Sequence, residues 1–154
     1  MFEKDDEFYM TQALKEAKRG YELGEVPIGC VITKDGTIIA RATNERVTRG
    51  NALYHAEIIA INQACEAIGD WRLEECRLYV TVEPCPMCAG AIVQARIPVV
   101  IYGAKNPKAG CVGSILNILE EPRFNHQAQV VNGVLEEECG NIMKDFFQRF
   151  RLRE

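Results

Sequence analysis

Apolar positions change period several times along the chain, and each change marks an element. Between residues 7 and 23, Met10, Leu14, Ala17 and Tyr21 recur at helical spacing, and Gly24 stops the pattern. Residues 26–33 and 37–43 are β-branched runs flanking Asp35-Gly36, the strongest short hairpin signal. Helical spacing returns over 54–68, with Ile58, Ile61 and Cys65 on one side. Residues 77–82 and 98–102 read as buried strands. Between them, 86–95 reads as a helix with proline at its tolerant first position. Residues 135–151 form a last helix with Ile142, Phe146, Phe147 and Phe150 as its apolar positions. A hairpin followed by alternating helices and strands predicts an α/β domain, a three-layer α/β/α sandwich on a mixed sheet whose later strands run parallel. No repeat or linker interrupts the pattern, so one domain is expected over residues 1–154.

Composition narrows the class. Hydrophobic residues make up 47% and charged residues 26%, a globular balance that excludes disordered and fibrous chains. No apolar run nears the ~20 residues that span a bilayer. The acidic stretch Met1 to Glu7 lacks the apolar core of an export signal, so a cytoplasmic protein with no membrane partner is expected. Seven cysteines, an odd number, argue against a disulfide framework and for free thiols or metal ligation. A net charge of −4 leans against a nucleic-acid partner, although a local cationic patch can act within an acidic whole.

Two fragments carry chemistry. His55-Ala56-Glu57 stands near a helix start, and Glu83-Pro84-Cys85-Pro86-Met87-Cys88 at a strand-to-helix junction. Cys85 and Cys88 are one helical turn apart at a helix N-terminus, where the dipole and free N–H groups favour thiolate. With the imidazole of His55 they offer three ligands, and a tetrahedral zinc so held keeps one position for water. A structural site would close with a fourth ligand, and no second Cys-x-x-Cys pair supplies one. Glu57 is better placed as proton carrier than as ligand, because zinc brings the pKa of bound water towards ~7 and a nearby carboxylate can take that proton. Either fragment alone is ambiguous: a lone His-x-Glu is usually structural, and a lone Cys-x-x-Cys serves redox exchange, zinc binding or packing. A thioredoxin-like role does not require the distant His-x-Glu.

Other positions keep two readings. Asn44, at the end of a predicted strand, serves equally as a substrate contact or a turn cap. The loop 103–110, with Lys105, Asn106 and Lys108, follows a strand's carboxyl end, where α/β sites usually lie, although a solvated loop is the default. Asn125-His126 is a polar pair without a clear task of its own. The segment 146–153 interleaves aromatics with Arg149, Arg151 and Arg153. Core packing explains the phenylalanines, and the arginines make a basic tip suited to phosphates. Cys30, Cys65, Cys76, Cys111 and Cys139 read as small apolar groups.

His-x-Glu followed by Pro-Cys-x-x-Cys is the signature of zinc deaminases of nucleobases. Along nearly its whole length the chain resembles the bacterial tRNA-specific adenosine deaminases, which turn the wobble adenosine of the anticodon into inosine. The likeness runs through Glu25 to Gly29, Trp71 to Leu73, Leu78 to Cys85, Ala95 to Ile97, Tyr102 to Ala104, Gly113-Ser114, Asn125-His126 and Phe146-Phe147. The resemblance implies a cytidine-deaminase-like fold with a mixed five-stranded sheet, Zn2+ on His55, Cys85 and Cys88, and Glu57 as proton shuttle. It implies that Asn44 and the backbone at Ala56 hold the flipped base. It further implies that Asn106, Asn125 and the basic last helix with Arg149 and Arg151 meet a tRNA anticodon stem-loop, and that the protein is a homodimer. Two departures stand out. Tyr54 replaces a small residue before His55, and Asn106 stands where many relatives carry an acid. The rivals are a deaminase of free guanine or a nucleoside, and a non-catalytic zinc module that only binds RNA.

Overall fold

The computed structural model describes residues 4–150. Helix α1 (Lys4–Glu22) leads into the hairpin of β1 (Gly29–Lys34) and β2 (Thr37–Thr43), then α2 (Ala56–Ile68), β3 (Cys76–Val82), α3 (Pro86–Ala95), β4 (Val99–Ala104), β5 (Gln129–Val131) and α4 (Glu136–Phe150). Asp35 and Gly36 both adopt positive φ (51° and 78°), the turn geometry that lets two strands twist together across two residues. The sheet order is β2-β1-β3-β4-β5. β1 runs antiparallel to β2 and β3, while β3, β4 and β5 are parallel. The expected mixed five-stranded sheet is present.

Alternation along the strands makes two cores. Ile32, Leu78, Val80 and Val100 face Ala56, Ala60, Ala89 and Ile92 of α2 and α3. Val31, Tyr79 and Ile101 face Met10 and Leu14 of α1 and Cys139 of α4. Two helices therefore cover each face, which is the α/β/α sandwich.

Several boundaries move for local reasons. Val26 to Ile28 stays outside β1. Pro27 has no N–H for a ladder, and the Ile28 amide instead donates to the Val26 carbonyl (2.9 Å). Helix α2 begins at Ala56 because His55 is its N-cap in extended conformation. Its buried face is Ala56, Glu57, Ala60 and Ala64, so Ile58, Ile61 and Cys65 lie half-buried on its flank beside Ala91 of α3 and Trp71. Small alanines let α2 lie close on the sheet. The hydrophobic pattern marks this neighbouring flank and not the buried face itself. Among the described residues no helix is long and apolar enough to cross a membrane.

Because β2, β3 and β4 point the same way, their carboxyl ends share one edge of the sheet. Asn44, Glu83 and Asn106 leave the sheet there. Crevices at such edges are where α/β folds bind ligands.

Candidate active site

Helices α2 and α3 lie side by side on one face and both start at this edge. His55 is the N-cap of α2 and Cys85 the N-cap of α3, where Pro86 occupies the first turn. Two residues 30 apart in sequence are therefore brought together by parallel helix starts. His55 Nδ1 stands 3.5 Å from Cys85 Sγ and 3.6 Å from Cys88 Sγ. All three ligand atoms lie within 4.8 Å of one another. Ligands at zinc's usual 2.0–2.3 Å in a tetrahedron stand roughly 3.5 Å apart, so the donor set fits such an ion in both spacing and softness.

The three groups compete for protons. A hydrogen bond from the Cys88 thiol and another from His55 push Cys85 down to about 4, despite its burial. Cys88, the donor in that bond and buried, is pushed up. The bond to Cys85 raises His55 above its ordinary value, against the effect of burial. A divalent cation binds two thiolates and a neutral imidazole by displacing those protons.

Glu57 lies in the first turn of α2 and is buried. Burial pushes its carboxyl up to about 7, with its own backbone N–H and His55 acting against the rise. A carboxyl near neutrality can both take and return a proton.

A cavity of about 350 Å³ opens over these groups. Its walls include Asn44, His55, Ala56, Glu57 and Asn106, all singled out from the sequence as site residues. Asn44 is buried, its Oδ1 accepting the Arg46 amide (3.1 Å) and its Nδ2 only 3.5 Å from the Val26 carbonyl. It acts as a turn cap and also faces the cavity. Asn106 turns its Oδ1 to the Ala109 amide (3.1 Å).

Other expected contacts lie elsewhere. Asn125 is exposed beside His126, whose Nε2 donates to the Ile97 carbonyl (2.8 Å) just before β4. That is the far end of a six-residue strand, roughly 20 Å from the cavity edge. Asn125 therefore does not line the cavity of its own chain. Arg149 sits on the α1 side of α4, where it reaches the Tyr21 hydroxyl that also donates to Asp145. The opposite face of α4 brings Met143 and Phe147 to the cavity. Arg151 lies outside the described residues.

Arg46 and Met143 line the cavity without any signal in the pattern, while Phe147, read as packing, and Lys108, read as a loop cation, line it as well. Two buried carboxylates hold its rim loops. Glu25 accepts the amides of Val47 (3.2 Å) and Thr48 (2.6 Å), and Glu83 gathers the loop after β4. Burial raises the Glu83 carboxyl, but bonds from Ser114, Asn106 and Val112 outweigh it and hold the group below its ordinary range. A larger cavity of about 440 Å³, lined by Tyr102, Lys105 and Glu120, contains none of these ligand atoms. It is not the chemical site.

The MafB19-like deaminase family model matches residues 4–151. A tRNA-specific adenosine deaminase of Bacillus subtilis (strain 168) is 56% identical over 149 residues, covering 97% of this chain and 92% of that protein. One from Aquifex aeolicus (strain VF5) is 43% identical over 145 residues, covering 94% and 95%. A solved structure from studies of A-to-I editing by tRNA:A34 deaminases superposes with a TM-score of 0.85 at 44% identity, over 88% of this chain and 98% of the other. A guanine deaminase from Nitrosomonas europaea shares the fold (TM-score 0.79) at only 21% identity, over 91% and 83%. With its ligand triad, its buried carboxylate and these relatives, the chain belongs to the tRNA-specific adenosine deaminases within the MafB19-like deaminase family.

Proposed function

We propose that this protein hydrolyses adenosine to inosine at the wobble position of a tRNA anticodon, as a zinc enzyme working in the cytoplasm as a homodimer of single-domain chains. The observation that carries the reading is the three-ligand cluster beside buried Glu57, with His55 and Glu57 in the wall of a cavity large enough for one nucleobase. Zn2+ would be held by His55, Cys85 and Cys88, and when bound it acidifies water so that a nucleophile is available near neutral pH.

The chain's own residues then divide the work. The extruded base enters the cavity with Asn44 and the backbone at Ala56 on its polar edge and Met143 and Phe147 against its face. Glu57 takes a proton from the attacking water and passes it to the ring nitrogen next to C6. It then takes the proton of the hydroxyl now on C6 and gives it to the amino group, so ammonia leaves and the oxygen stays as the carbonyl of inosine. Arg46 and Lys108, exposed on the rim, meet flanking phosphates, with Asn106 beside them.

Asn125 can meet RNA only away from its own cavity, which suits a surface contributed across two subunits. The half-buried apolar strip Ile58, Ile61 and Cys65, with Ala91 and the exposed Trp71, supports such a pairing. To Arg149, in the last turn of α4, and to Arg151 we assign further phosphate contacts.

Anticodon stem-loops with adenosine at the wobble position test the reading, assayed for inosine beside ammonia release from guanine. Inosine in the stem-loop supports it. Deamination of guanine alone would replace it with the free-base reading.

A further inference from the structure

Glu83 directly follows β3, two residues before Cys85, and is only 2% exposed. Its Oε1 accepts the Asn106 amide (3.1 Å) and the Ser114 hydroxyl. Its Oε2 accepts the amides of Val112 (3.0 Å) and Ser114 (3.0 Å). A carboxylate offers about four acceptor sites, and one loop takes them all. Gly110 passes so close that an added Cβ would stand 2.4 Å from the Glu83 Cδ. The neighbouring backbone closes the same seam, since the Cys111 amide donates to the Pro84 carbonyl (2.9 Å) and the Glu83 amide to the Ala104 carbonyl (2.8 Å). That loop supplies Asn106, Lys108 and Ala109 to the cavity wall.

We infer that Glu83 is a positioning residue for substrate: it fixes the Asn106–Ala109 wall to the strand end that leads into Cys85 and Cys88, so the pocket is shaped before RNA arrives. The inference rests on the deaminase reading, but no step of the reaction touches Glu83. Preorganising a wall that contacts ground state and transition state alike changes KM and leaves kcat nearly alone. A merely structural carboxylate would change melting temperature and neither constant.

Glu83→Gln replaces one acceptor oxygen with a donor amide, so two of the four loop donors lose their partner. The test uses zinc-loaded protein. In the Glu57→Ala background, where no turnover occurs, adding Glu83→Gln weakens stem-loop binding about tenfold by fluorescence anisotropy. With Glu57 present, KM rises by a similar factor and kcat stays within about twofold. Hydrogen exchange quickens at the amides of Asn106, Val112 and Ser114 but not in α2 or α3, and metal content holds. Gly110→Ala pushes the loop off the carboxylate with every charge retained. It gives the same pattern, and carries the test if Glu83→Gln does not fold.

Unchanged affinity and KM in both variants overturns the inference. So does loss of kcat or metal with KM intact, which would assign Glu83 to the ligand cluster. Wild-type protein that binds the stem-loop without deaminating it would defeat the deaminase reading alone, because affinity and exchange need no turnover.

Discussion

Glu57 joins two requirements in one side chain: it must be dry enough to hold a proton near neutrality and close enough to the ligands to deliver it. Its burial and its place in the first turn of α2 meet both. Glu57→Ala should therefore keep its metal by elemental analysis and lose at least ~10²-fold in kcat, the usual contribution of a general acid–base group. Glu83 makes a separate prediction in acid. Its folded carboxyl lies below the ordinary 4.5, so its contribution is complete above that value and fades as pH falls through the folded pKa. The melting-temperature gap between wild type and Glu83→Gln should be widest near pH 7 and close in strong acid. A gap independent of pH would mean the charge of Glu83 does not matter. His55, Glu57, Cys85 and Cys88 could be read from the sequence because their chemistry is written in short local spacings. Glu83 and Glu25 could not, since their partners become visible only when distant loops fold back over them.

At the level of elements, helix phase decides which residues reach the cavity. Arg149 was expected beside RNA from the basic tip of its segment and from the family resemblance. Its contact with the Tyr21 hydroxyl, which Asp145 one turn earlier shares, instead places it on the α1 side, while Met143 and Phe147 take the opposite face. The hairpin and α3 were readable because Asp35-Gly36 and Pro86 are local signals. β5 was not, being three residues with an exposed glutamine at its start. The seating of α4 depends on Gly103, where an added Cβ would meet Cys139 Sγ at 2.4 Å and the Thr81 carbonyl at 3.0 Å. Gly103→Ala should cost about 1–3 kcal/mol by overpacking and lower Tm by several degrees. It should also weaken stem-loop binding, because Met143 and Phe147 ride on the displaced helix. Adding Cys139→Ala should recover part of both losses, and failure to recover either would disconnect α4 seating from the cavity.

For the whole molecule, an acidic chain is asked to bind a polyanion, so local cations must do what net charge does not. Stem-loop affinity should fall linearly in log–log against salt, as counterion release requires, and Lys108→Ala should make that slope shallower. Chelation should lower both activity and Tm, because the ion ties the starts of α2 and α3 together, and zinc should restore both. The most direct measurement of the central claim is inosine formation in a wobble-adenosine stem-loop by zinc-loaded wild type and by equally loaded Glu57→Ala. The account predicts inosine from the wild type and none from the variant. Inosine from both, or from neither while the wild type deaminates free guanine, would contradict it.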